Sequence, residues 1–163
     1  MLLGRRTIMS TDHAKFMALA IEEARKGMRA GGEPFGAVVV REDDIIAQVH
    51  NASKSAWDPT GHSEVMSIRA ATANLKTLSL KGCTLYTSCE PCPMCVGAML
   101  FSQVDRVVIG ARSQALLRLR GQRPRSYTPE ELINQMNMKL EVVRGVRQDE
   151  AEKALGEYKW PKS

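Results

Sequence analysis

Cys92 and Cys95 stand three residues apart, directly after Pro91, at the head of an apolar run, and His62-Ser63-Glu64 stands at the head of another. These two junctions constrain the fold more than any other feature of the chain. Pro91 breaks the chain, and Cys92 to Phe101 reads as a helix. His62 to Leu75 reads as a second helix, entered from the loop Trp57-Asp58-Pro59-Thr60-Gly61, with Val65, Met66, Ile68 and Ala70 facing inward. Two cysteines three apart at a helix start present their sulfurs to the same side. The helix N-terminus favours the thiolate form that a metal requires. With His62 brought to them, the three make a metal centre that keeps one position open for water, as catalytic rather than structural zinc does. Cys89 could be a fourth ligand, but it precedes Glu90-Pro91, where a loop turning away from the pair is expected. Cys83 reads as a small buried residue in a strand.

Glu64 lies two residues after His62, so on a helix the two side chains point apart and do not readily bind one metal. A carboxylate there is better used beside the water. Zinc lowers the pKa of bound water from 15.7 to roughly 7. A neighbouring carboxylate can take that proton and pass it to a ring nitrogen and then to a leaving amine. Hydrolytic deamination needs that hydroxide, that proton shuttle and a flat pocket for an aromatic ring. Taken singly, each residue has a plainer use: His62 as a surface or capping histidine, Glu64 as a first-turn acid, the cysteines as buried small side chains.

The rest of the chain reads as alternating elements. Asp12 to Met28 has helical spacing at Met17, Ala20, Ile21, Ala24 and Met28, capped by Thr11 or Asp12 and ended by Gly31-Gly32. Phe35 to Val40 and Ile45 to Val49 read as strands of a hairpin around Glu42-Asp43-Asp44. Cys83 to Thr87 and Arg106 to Gly110 read as a third and fourth strand. Leu116 to Arg125 is basic and ambiguous. Pro129 opens a helix, Leu140 to Val143 reads as a fifth strand, and Asp149 to Tyr158 as a last helix. Strand-helix alternation implies parallel pairing with helices on both faces. The expected fold is α/β, a three-layer α/β/α sandwich around a mixed sheet of about five strands. It forms one domain over 1–163, with residues 1–10 a flexible extension.

The chain of 163 residues is 44% hydrophobic and 25% charged, which suits one globular domain with a sizeable core. No apolar run is long enough to span a bilayer, and no apolar region follows Met1-Leu2-Leu3-Gly4-Arg5-Arg6, so a secretory signal and a membrane partner are not expected. The four cysteines cluster as metal ligands or catalytic groups do in a reducing, cytoplasmic setting. The net charge of +5 permits nucleic-acid contact without requiring it. Arg118, Arg120, Arg123 and Arg125 could track phosphates or form a solvated loop, and few aromatic residues accompany them as a stacking platform.

H-x-E followed by P-C-x-x-C is a described signature of the zinc deaminases, in which the Glu is the acid/base and not a ligand. By these residues the chain resembles the cytidine-deaminase-like superfamily from about Phe16 to about Arg112. Supporting segments are Pro34-Phe35-Gly36-Ala37-Val38-Val39-Val40, Asp58 to Glu64 and Leu85 to Cys95. Two branches are similar: the bacterial guanine deaminases with their plant guanosine deaminase relatives, and the tRNA adenosine deaminases. Tyr86 to Cys95 and Phe35 look like the guanine branch. The segment after the fourth strand, Ser113-Gln114-Ala115-Leu116-Leu117, lacks the Gly-Phe-Asp-Asp-like sequence of that branch and the Lys-x-Gly-Ala-x-Gly-Ser loop of the other.

The resemblance implies one Zn2+ per chain on His62, Cys92 and Cys95, Glu64 as the catalytic acid/base, and a homodimer. It also implies that Asn51 hydrogen-bonds the base, Phe35 lines or stacks on it, Gly61 and Cys92 offer backbone groups, and Tyr158 or Trp160 acts as a lid. From the residues alone, Asn51 could equally end a strand and Phe35 could equally be core. The leading expectation is a deaminase of a free purine base or nucleoside, guanine first. A tRNA adenosine deaminase, working on a flipped anticodon base, is second. A non-catalytic, zinc-stabilised RNA-binding module is the reading of another class, and Glu64 argues against it because a structural zinc has no use for a proton shuttle.

Overall fold

The computed structural model describes residues 12–161, and the expected N-terminal extension lies outside the described residues. The elements run α1 (His13–Arg29), β1 (Gly36–Arg41), β2 (Asp44–His50), α2 (Ser53–Ala56), α3 (Ser63–Leu75), β3 (Cys83–Cys89), α4 (Pro93–Phe101), β4 (Arg106–Ala111), α5 (Ser113–Leu119), α6 (Pro129–Gln135), β5 (Glu141–Val143) and α7 (Gln148–Gly156). One sheet of five strands has the order β2-β1-β3-β4-β5. β1 is antiparallel to both β2 and β3, whereas β3, β4 and β5 are parallel. The mixed sheet and the three layers agree with the sequence expectation.

Two apolar cores lie on the two faces. One joins Val39, Leu85, Val107 and Ile109 of the sheet to Ile68 of α3, Val96 and Met99 of α4 and Ile133 of α6. The other joins Val38, Val40, Tyr86 and Val108 to Phe16, Met17 and Ile21 of α1 and to Ala151, Ala154 and Leu155 of α7. Successive strand residues alternate between the cores, as the period of two requires. Burial of both faces explains why β1 and β4 read as unbroken apolar runs. α1 starts where Asp12 accepts the Lys15 amide at 3.1 Å. α6 starts at a capping box of Thr128 and Glu131. Gly36 has a steric reason: a Cβ there would stand 2.2 Å from the Ala20 carbonyl oxygen of α1.

The pairing directions bring the start of β1 and the ends of β2, β3 and β4 to one edge of the sheet. Phe35, Asn51, Cys89 and Ala111 therefore lie together, and α3 and α4 begin beside them. Ligand sites in open α/β sheets form outside the carboxyl ends of strands. The expected loop at Cys89 is corrected here: β3 runs on to Cys89, which pairs with Ala111 of β4. A further helix, α2, precedes Trp57, whose φ of 52° places it in the left-handed region.

Candidate metal centre and substrate pocket

His62 is the N-cap of α3, in extended conformation, and its ring makes no capping bond. Its side chain is thereby free for other use. The loop before it is held by Asp58, which accepts from the Thr60 amide at 2.8 Å and the Thr60 hydroxyl at 2.7 Å. Gly61 lies buried behind this loop, where a Cβ would come within 3.0 Å of the Ser53 amide nitrogen. Its carbonyl accepts from the Ala52 amide at 2.9 Å. Cys92 is the N-cap of α4, also extended, and Pro93 follows at the first helical position, which suits its fixed φ.

His62 Nδ1, Cys92 Sγ and Cys95 Sγ form a triangle with all three sides 3.6 Å. Tetrahedral zinc, with its usual bond lengths, separates two sulfurs by about 3.8 Å and sulfur from nitrogen by about 3.6 Å. The donor set and its spacing therefore fit zinc with little adjustment, and these three residues form the group able to hold a metal ion among the described residues. Electrostatics point the same way. The contact with Cys95 and the hydrogen bond to His62 hold the Cys92 thiol well below its usual range, despite burial. Cys95 is pushed up by its hydrogen bond with Cys92 and by burial. A cation among the three groups would favour the thiolate form of both sulfurs. Cys89 stands outside this triangle, and burial pushes its thiol up to about 12.

Glu64 borders the triangle. Its Oε2 lies 3.5 Å from Cys95 Sγ and accepts from the Ser63 hydroxyl at 3.2 Å. Its Oε1 lies 3.0 Å from Thr87 Oγ1 of β3. Burial raises the Glu64 pKa, and the Cys92 charge adds to the rise. A carboxyl shifted this way exchanges its proton more readily near neutral pH than an exposed one.

A cavity of about 290 Å³ opens beside these groups, lined by His62, Glu64, Cys92, Asn51 and Phe35 among others. Asn51 is buried, and its Oδ1 accepts from the Ser53 amide at 3.0 Å. That contact fixes the amide orientation and leaves the Nδ2 donors for the cavity. Phe35 is half-buried at the wall. Tyr158 and Trp160 do not line the cavity. They pack behind it, Trp160 with its ring centroid 6.0 Å from Phe35, and Tyr158 with its hydroxyl 2.7 Å from Lys54 Nζ. The Trp160 indole N–H donates to the Leu155 carbonyl at 3.0 Å, which ties the chain end to α7.

Several lining residues were not singled out as site residues in the sequence. Glu33, Glu90, Leu116, Arg120 and Arg125 complete the wall. Glu33 pairs with Arg120 at 3.2 Å, across 87 positions of sequence. Glu90 pairs with Arg144 at 2.6 Å. Thr87 carries no sequence signal of its own beyond its place in a strand. Glu90, beside Pro91-Cys92, is the one that the motif context could have marked.

The profile of the cytidine and deoxycytidylate deaminase zinc-binding region matches residues 10–111. The chain is 45% identical to the guanine deaminase of Bacillus subtilis over 101 residues, which span 61% of this chain and 65% of that protein. It is 37% identical to the tRNA-specific adenosine deaminase of the same organism over 145 residues, spanning 86% of this chain and 84% of that one. The solved guanine deaminase of Nitrosomonas europaea superposes with a TM-score of 0.77 at 30% identity, covering 89% of this chain and 83% of that chain.

Proposed function

Because this chain belongs to the cytidine and deoxycytidylate deaminase zinc-binding family, we propose that it is a hydrolytic deaminase of a free purine base or nucleoside, with guanine its first substrate. The observation that carries the reading is the juxtaposition of Glu64 with a zinc-sized donor triangle beside a cavity of about 290 Å³. Water replaces the amino group at a ring carbon, and ammonia leaves. His62, Cys92 and Cys95 would hold zinc, which supplies a Lewis acid that brings the pKa of water into the neutral range. Glu64 takes a proton and delivers it first to a ring nitrogen and then to the departing amine. Asn51 donates from Nδ2 to an acceptor on the ring, and Phe35 offers it an apolar face.

A free purine is favoured over a base embedded in RNA by the roof of the cavity. Phe35, Arg120 and Trp160 stack in sequence there, with the Arg120 guanidinium 4.5 Å from the Trp160 ring centroid and 5.9 Å from that of Phe35. Tyr158, held by Lys54, extends this roof. The tRNA adenosine reading draws its support from the longer matched span of the tRNA deaminase relative and from the exposed Arg118 and Arg123.

We also expect a homodimer. Phe101, the last residue of α4, is 78% exposed. Four free cysteines suit a reducing cytoplasm. No helix among the described residues is long and apolar enough to cross a membrane. The test is ammonia release by the zinc-loaded protein from guanine, guanosine, adenine, cytosine and a tRNA anticodon stem-loop. Turnover of guanine or guanosine alone supports the reading, and turnover of the stem-loop adenosine alone replaces it with the second one.

A further inference from the structure

The fold divides the arginine-rich segment. Arg118 and Arg123 face solvent, whereas Arg120 and Arg125 line the cavity. The charges of that lining are largely matched: Glu33 holds Arg120 at 3.2 Å, and Glu90 is held by Arg144 at 2.6 Å. What remains is Glu64 beside the metal ligands and Arg125. Among the described residues Arg125 forms no ion pair. It gives Nη1 to the Pro91 carbonyl at 3.2 Å and lies 5.7 Å from the Tyr127 ring centroid. Guanidinium carries five donors in a rigid fork, and one bond to Pro91 leaves the others for a ligand.

Such a fork matches a carbonyl oxygen beside a ring nitrogen acceptor, the 6-oxo and N7 edge of guanine. The same edge of adenine presents an amino donor, which a guanidinium cannot pair with. In guanine the amino-bearing carbon and this edge lie on different sides of the bicycle, so one can face the metal ligands while the other faces Arg125. In adenine the amino group to be removed belongs to that edge. We propose that Arg125 is a specificity-determining residue of this pocket, reading the carbonyl and ring-nitrogen edge of an oxopurine. The proposal rests on the purine-deaminase reading above.

The test compares guanine with 2-aminopurine, which keeps the amino group and lacks the 6-oxo group, on wild type, Arg125→Ala and Arg125→Lys, all zinc-loaded. A lost charge-assisted hydrogen bond predicts that Arg125→Ala lowers the guanine to 2-aminopurine ratio of kcat/KM by roughly 10- to 150-fold. Arg125→Lys should recover part of the ratio. Calorimetric binding of xanthine, which retains the oxo edge and has no amine to lose, should weaken by a similar factor in Arg125→Ala. An equal loss on both substrates, with xanthine binding unchanged, makes Arg125 a merely structural residue and overturns the proposal while leaving the deaminase reading intact. Failure of the wild type on both purines, with turnover of a stem-loop adenosine, overturns both together.

Discussion

The Thr87 hydroxyl stands between the Glu64 carboxyl, 3.0 Å away, and the Cys89 carbonyl, 2.8 Å away, with one proton to give. When Glu64 is ionised, the proton can serve it. When Thr87 donates to Cys89 instead, the hydroxyl can accept from protonated Glu64. Either protonation state of the carboxyl thus has a partner without any movement of the backbone. Thr87→Val removes that partner and should lower kcat about 10- to 100-fold, since misplacement of a reacting group costs on that scale. Thr87→Ser should restore most of it. Steady-state kinetics with zinc content measured alongside decides the matter: a kcat unchanged in the valine variant removes Thr87 from the site.

Glu64→Gln keeps the shape of the side chain and abolishes proton transfer. Turnover should fall at least 10²- to 10⁴-fold, the usual contribution of a placed acid/base. Zinc should stay at one per chain, because the ligand triangle does not include Glu64. Elemental analysis and ammonia release on the same sample provide the check, and surviving activity would contradict the assigned role.

Chelation should both inactivate and destabilise the protein. A metal that binds the native chain alone adds about 4 kcal/mol when free at a thousandfold over its Kd. The melting temperature should therefore drop on stripping and return with zinc. Cys95→Ala should abolish the return, whereas Cys83→Ala, in a buried strand position away from the triangle, should retain it.

Trp160 joins the roof through an aromatic pair and a cation–π contact, each about 0.5–1.5 kcal/mol. Trp160→Ala should loosen Arg120 and Phe35 and raise KM several-fold, with zinc retained. Truncation after Gly156 should reduce turnover more strongly. A truncated chain with wild-type kinetics would end the idea that this segment closes the pocket.

Glu23 provides a pH test at a carboxyl outside the candidate metal centre. Burial pushes its carboxyl up, but hydrogen bonds from Lys26, Gln48 and His50 outweigh this and hold it below its ordinary value. A lowered folded-state pKa contributes stability that is present above the unfolded value of about 4.3 and is lost as pH falls through the folded one. Glu23→Gln should therefore be less stable than wild type at pH 7, and the difference should shrink below about pH 4. Urea melts at both pH values measure it.

The sequence made the metal centre legible because zinc chemistry accepts few residue types. His62, Cys92 and Cys95 also sit at helix starts marked by Gly61 and Pro91-Pro93. The strands were legible through their apolar runs, with ends displaced by a residue or two. The strand position of Cys89 is not legible in the sequence, because only its pairing with Ala111, a long-range contact, extends β3 past Thr87. The basic stretch stayed ambiguous for a similar reason. Leu116 and Leu117 are the buried leucines of α5, while the inward turn of Arg120 depends on Glu33 and Trp160, both distant in sequence. Charge runs do not reveal which members find a partner.

The candidate metal ligands and Glu64 all fall between residues 62 and 95, whereas Leu116, Arg120 and Arg125 line the cavity and Tyr158 and Trp160 pack behind that lining. The donor groups thus come from one stretch of the chain, and the surroundings of the cavity from that stretch, from Glu33, Phe35 and Asn51 before it, and from residues after it. The two stretches meet beside the ligands, where Arg125 donates to the Pro91 carbonyl and Arg144 pairs with Glu90, so exchanging the later stretch for that of a relative must carry both contacts with it.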